Sequence, residues 1–173
     1  MKVPYTNFKK FVDSEWKEID TEEIFNGKRI VLFGIPGAFA SDKDNQQLQD
    51  YENAYDDLKK QNITDVCCVS VNDTFVMNAW FEKLGITKIK PLPDGEGVFT
   101  QGMGMLVNKP RQGFGMRSWR YSMLVDNGEV VKVFTEPGKN NSSDDDDPFT
   151  VSDVDTMIEY LETFNERNTE KRY

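Results

Sequence analysis

The feature that most limits how this chain can fold is a pair of short apolar runs, Ile30-Val31-Leu32-Phe33 and Val66-Cys67-Cys68-Val69. A strand that is apolar at every position has both faces covered, as in parallel sheets flanked by helices. The segments Arg29 to Gly34 and Asp65 to Val71 are therefore expected to be buried strands. Between them Ser41 and Asp44 form a capping box, followed by Leu48, Tyr51, Tyr55 and Leu58 at helical spacing. Asp73 opens a second helix with Val76, Ala79, Trp80 and Leu84 on one face. The order β-α-β-α predicts right-handed parallel crossovers. Upstream, Asp20 with Glu23 reads as a capping box for a short helix that stops at Gly27.

The second half has a different grammar. Pro91-Leu92-Pro93-Asp94-Gly95 reads as a turn, and Gly102, Gly104, Gly113 and Gly115 as loop positions. Arg120 to Val125 and Glu129 to Phe134 read as strands joined across Asp126-Asn127-Gly128, a strong hairpin signal. Val154, Met157, Ile158 and Leu161 mark a last amphipathic helix, capped by Ser152 with Asp155. Parallel β-α-β units, an antiparallel hairpin and a final helix predict an α/β chain of thioredoxin-like order, with a central mixed sheet flanked by helices. One domain over 1–173 is expected, with an acidic loop at 139–147.

Charge and composition exclude several classes. Thirty acidic against 21 basic residues give a net charge of −9, which repels nucleic acid and anionic lipid, so neither is an expected partner. No histidine is present, which removes the commonest general base and metal ligand; no metal and no cofactor are expected. The apolar runs are too short to cross a bilayer, and no apolar segment follows Lys2, so a cytoplasmic location is expected. Asp144 to Asp147 lack the spacing of a calcium loop and read as a solvated run. Met103, Met105, Met116 and Met123 read as core or interface filler.

Four blocks carry a family resemblance. They are Val31-Leu32-Phe33-Gly34-Ile35-Pro36-Gly37-Ala38-Phe39, Ser70-Val71-Asn72-Asp73-Thr74-Phe75-Val76, Leu92-Pro93-Asp94-Gly95, and the stretch from Gly113 to Met123. In this order they resemble peroxiredoxins of the type-five subfamily, and Glu136-Pro137-Gly138 continues the match. The resemblance implies a thioredoxin-like fold, a homodimer, and reduction of hydroperoxides by a cysteine thiolate at a helix N-terminus. The family's site is Pro-x-x-x-Thr-x-x-Cys with a distant arginine. Pro36 matches the proline and Arg120 the arginine, but Ala40 stands at the threonine and Lys43 at the cysteine. Some members carry a second cysteine after the Glu-Pro-Gly turn, and 136–150 contain none.

The substitution at 43 decides the chemistry that is expected. Peroxide reduction needs a thiolate sulfur that becomes a sulfenic acid, and a protonated lysine amine has no such cycle. Cys67 and Cys68, both within an apolar run, read as core residues. The expected protein is a peroxidase-inactive homologue that acts by binding or by pairing with an active peroxiredoxin. Two alternatives stand beside it: a thiol-dependent peroxidase, as the family implies, and a small-anion-binding module using Lys43 and Arg120. Arg120 needs a counter-charge, and Asp42 and Asp44 are the nearest in sequence. One of them, or a bound anion, is expected beside Arg120 with Lys43 turned away.

Overall fold

A computed structural model of the protein describes residues 1–142 and 147–170. Its centre is a five-stranded sheet of strands β3 (Arg29–Ile35), β4 (Asp65–Ser70), β5 (Lys90–Pro93), β8 (Tyr121–Asp126) and β9 (Glu129–Thr135). The spatial order is β5-β4-β3-β8-β9; β3, β4 and β5 run parallel, and β8 and β9 run antiparallel to their neighbours. Crossover helices α2 (Asp42–Asn53), α3 (Tyr55–Lys60) and α4 (Thr74–Leu84) and the last helix α6 (Val154–Glu170) belong to this layer. Short helices α1 (Thr21–Phe25) and α5 (Val98–Gly102), a hairpin β1 (Asn7–Val12) and β2 (Glu15–Asp20), and a pair β6 (Leu106–Lys109) and β7 (Gly115–Ser118) complete the chain.

Alternation along β3 and β4 explains why these strands are apolar throughout. Val31, Phe33, Ile35, Val66 and Cys68 face one core with Leu48, Tyr51, Trp80, Met157 and Leu161. Ile30, Leu32, Cys67 and Val69 face the other, with Phe8, Phe25, Phe99, Trp119 and Met123. Each fully buried side chain of this size contributes about 1.5–3 kcal/mol, so both faces of the sheet are strongly held. The β8–β9 turn places Asn127 at φ 49° and Gly128 at φ 78°, the geometry that the Asn-Gly pair adopts cheaply.

Several expectations need correction. The helix after Ser41 is two, broken at Ala54, whose N–H is still bonded to Asp50. On α4 the buried face is Met77, Trp80 and Phe81, while Ala79 is exposed; tertiary packing selected the larger side chains. Lys90–Pro93 is a strand rather than a turn, and its prolines are tolerated because β5 is an edge with only β4 beside it. Asp153, not Ser152, caps α6, accepting from Thr156 N at 3.1 Å. Of the methionines read as core or interface filler, Met103, Met105 and Met123 are in the core, and Met116 lies at the surface, which that reading allows. The hairpin β1–β2 and the pair β6–β7 had no reading from sequence. Of the expected acidic loop, 143–146 lie outside the described residues.

Gly34 illustrates how closely the strands pack. It pairs with Tyr121 across β3 and β8, and a Cβ there would lie 2.3 Å from the Tyr121 ring. Both residues are buried, so the ring has little room to yield. Gly34→Ala is expected to destabilise the protein by about 1–3 kcal/mol, read as a lower urea midpoint; an unchanged midpoint would show that this packing is loose.

Candidate functional site

The site forms where β3 ends and α2 begins. Pro36 to Ala40 make the connecting loop, with Phe39 at φ 62° and the Ala40 N–H bonded to the Gly37 carbonyl at 3.3 Å. Asn72 anchors this loop by accepting from the Ala38 N–H at 2.9 Å. Ser41 is the N-cap of α2, and its side chain accepts from the Asp44 N–H. Helix α2 therefore starts with its free amides directed at the loop, a local environment that favours negative charge.

Arg120 enters from the segment before β8 and is only 1% exposed. Its Nη2 donates to Asp44 Oδ1 at 2.7 Å and to Asp147 Oδ2 at 2.9 Å, and its Nε donates to Asp147 Oδ1 at 3.1 Å. Its Nη1 donates to Gln47 Oε1 at 2.7 Å. Gln47 is itself fixed, donating to the Ser152 carbonyl at 3.1 Å, as does the Tyr51 hydroxyl at 2.9 Å. Asp147 thus grips the guanidinium as a two-toothed fork, the strongest geometry for such a pair.

Of the two aspartates singled out from sequence, Asp44 is buried against Arg120 and Asp42 is exposed. Lys43 is exposed, and its Nζ donates to the Asp147 main-chain carbonyl rather than pointing at Arg120. Pro36 and Ala40 line a cavity of about 60 Å³ with Asp44, Phe114, Trp119 and Asp147. Sequence reasoning missed Asp147, which from sequence alone reads as the solvated end of an acidic run. It also missed Arg117, whose Nε donates to the Phe114 carbonyl at 3.1 Å and whose Nη1 lies 3.5 Å from the Pro36 carbonyl. The only signal for Arg117 was its place in the block from Gly113 to Met123.

Electrostatics follow from burial. Burial pushes the Asp44 carboxyl up to about 6, against the opposing pull of Arg120, and the nearby Asp147 charge adds to the rise. Burial alone would lower the Arg120 guanidinium, but Asp44 and Asp147 more than offset it and hold it above its ordinary value. Two carboxylates thus share one buried cation, and the deeper one carries the desolvation cost. Cys67 and Cys68 are free and buried in β4. Burial first, and then the Asp65 charge, pushes the Cys67 thiol up to about 12. Burial and the Asp44 charge push Cys68 well above the usual range. Neither has the thiolate character that nucleophilic attack needs. Among the described residues no cluster of three His, Cys, Asp or Glu side chains is placed to hold a metal.

Comparison with known proteins gives the family. The Redoxin family model matches residues 1–168. A peroxiredoxin of Synechocystis is 48% identical over 146 residues, covering 84% of this chain and 77% of its own. The hybrid peroxiredoxin hyPrx5 of Haemophilus influenzae is 48% identical over 160 residues, covering 92% of this chain and 64% of its own longer one. A crystal structure of reduced Prx3 from Vibrio vulnificus in complex with hydrogen peroxide superposes with a TM-score of 0.83 at 33% identity, over 93% of this chain and 96% of that one. This chain belongs to the peroxiredoxins of the redoxin family, and its fold is the thioredoxin-like one of that family.

The wall of the site depends on Glu136. Its buried carboxylate accepts the backbone N–H groups of Thr150 at 2.6 Å, Val151 at 2.9 Å and Ser152 at 2.7 Å, fixing the segment that carries Asp147. Burial would raise its pKa, but these bonds outweigh it and hold the carboxyl below its ordinary 4.5. A depressed pKa contributes stability that is present above 4.5 and lost as pH falls through the folded value. Glu136→Gln is expected to cost on the order of 2 kcal/mol at pH 7, with a smaller gap to the native chain at pH 3 in urea unfolding. A gap independent of pH would contradict the ionised clamp.

Proposed function

We propose that this peroxiredoxin works by binding, as a non-catalytic member that pairs with its own kind or with an active peroxiredoxin. The observation that carries the reading is the closure of Arg120 by Asp44 and Asp147. In a thiol peroxidase the arginine and the helix N-terminus stabilise a thiolate, whose sulfur attacks one peroxide oxygen while the O–O bond breaks. Here Lys43 stands at the position matched to that cysteine, and Arg120 already holds two carboxylates of its own chain. Both cysteines are enclosed in β4 on opposite faces of the sheet. A small-anion site shared by Lys43 and Arg120 fits less well, since both cations are engaged by Asp147.

The pairing surface we favour includes Phe39, which is 49% exposed in the loop between Pro36 and Ala40. The relatives' names favour a second reading, a thiol-dependent peroxidase, since proteins 44–48% identical to this chain are called peroxiredoxins. No helix among the described residues is long and apolar enough to cross a membrane, and we place the protein in the cytoplasm.

Consumption of hydrogen peroxide with a dithiol reductant separates the two readings. The native chain is expected to show no turnover above buffer, and turnover abolished by Cys67→Ser or Cys68→Ser would establish the peroxidase. Lys43→Cys with Ala40→Thr restores the family's groups but leaves the new sulfur beside two carboxylates. Adding Asp44→Ser and Asp147→Asn is expected to raise turnover at least tenfold over that pair. Equal turnover in both variants would show that the carboxylates do not block the site.

A further inference from the structure

The hairpin β1–β2 leaves one strand edge uncovered. Its turn, Asp13-Ser14, has φ of 53° and 63°, the primed geometry of a two-residue hairpin in which the flanking Val12 and Glu15 form a hydrogen-bonded pair. Such pairs alternate back through Lys10 with Lys17 and Phe8 with Ile19 to Thr6, whose carbonyl accepts from the Thr21 N–H at 3.0 Å. The N–H and C=O groups of Asn7, Lys9 and Phe11 therefore aim away from β2. Those of Phe11 are satisfied: its N–H donates to Thr74 Oγ1 at 3.0 Å and its carbonyl accepts from Asn78 Nδ2 at 3.0 Å. Those of Asn7 and Lys9 have no such partner among the described residues.

A cleft follows this edge. It has a volume of about 540 Å³, within the range of ligand-binding clefts. Five consecutive residues, Tyr5 to Lys9, form one wall, so the cleft follows the β1 edge and extends onto the hairpin face that carries Trp16 and Glu18. The opposite wall is the chain from Pro93 to Val98. Its charges are one-sided: Glu18, Asp73, Asp94 and Glu96 against Lys9 alone. Asp73 and Asp94 cap helices, accepting from Val76 and from Phe99 and Thr100, while Glu18 and Glu96 stand exposed at the rim. Tyr5 and Trp16 add aromatic surface, 66% and 63% exposed.

We infer that this cleft takes an extended cationic peptide segment that adds a strand to β1. Asn7 and Lys9 supply the backbone ladder, Glu18 and Glu96 receive lysine or arginine heads, and Tyr5 and Trp16 cover the apolar stems. A second copy of the chain is a poor occupant, because its net charge of −9 matches the sign of the cleft. The inference goes beyond the function proposed above and uses none of the residues around Arg120.

The test is an amide-resolved NMR titration of the full chain with an acetylated octapeptide of alternating lysine and valine. Saturable shifts are expected at the Asn7 and Lys9 amides and at the Trp16 indole. Lys9→Pro removes one outward donor, spares the ladder to β2 and makes the cleft more negative, so a tenfold or greater loss of affinity would arise from the ladder alone. Glu18→Gln with Glu96→Gln is expected to weaken binding about tenfold. Should Lys9→Pro disturb the hairpin, the octapeptide N-methylated at alternate residues applies the same test to the native chain and is expected not to bind. Absence of saturable shifts at Asn7 and Lys9, equal binding of a glutamate–valine octapeptide, or undiminished binding of the N-methylated peptide would overturn the inference. So would self-association of the chain through this edge.

Discussion

Arg120 puts a permanent positive charge in the interior at 1% exposure, where an unpaired guanidinium would cost several kcal/mol. Much of the architecture around α2 answers that cost. Asp44 meets the charge from the first turn of α2, Gln47 from the next turn, and Asp147 from the segment leading to α6. These partners tie β8, α2 and the approach to α6 into one polar cluster. Glu136 secures the same approach through its backbone bonds to residues 150–152, and Ser152 receives Gln47 and Tyr51. Removing one partner would strand the others, so the cluster stands or falls together.

The same cluster sets what the site can do. A peroxide-reducing site leaves its cations free to hold a thiolate and an incoming oxygen. In this chain Arg120 is saturated by internal carboxylates, and Lys43 is turned outward onto Asp147. Pro36, Phe114 and Trp119 stand beside this cluster around a cavity of about 60 Å³. Fold is shared across the peroxiredoxins, whereas activity depends on a few side chains placed on it.

Where one signal dominated, the sequence was legible. The apolar runs at Ile30 and Val66 gave the parallel pair, because burial on both faces leaves no other composition. Asn127-Gly128 gave the β8–β9 turn, because few residue pairs adopt its positive φ angles cheaply. The strand at Lys90–Pro93 was illegible because its prolines resemble a turn, and only the edge position makes them compatible with a ladder. Hairpin β1–β2 was missed because its exposed charged residues hide the alternation. At the site, Asp44 was within reach of reasoning, being close in sequence to Lys43. Asp147 was not: nothing local distinguishes it from the aspartates before it, and only the chain reversal after Glu136 brings it to Arg120.

The state of Asp44 is the most direct measure of the central claim, that Arg120 is neutralised inside the fold by this chain's own carboxylates. Its folded value, about 6, lies above the ordinary 3.8, so its contribution to stability is complete below 3.8 and is lost as pH rises through 6. Carbon-13 NMR of the Asp44 side-chain carboxyl between pH 3 and 8 reads this directly. The account predicts a midpoint near 6 that moves downward in Asp147→Asn, where the repelling neighbour is gone. A midpoint at 3.8, unmoved by that substitution, would mean that Asp44 is solvated and that Arg120 is not enclosed.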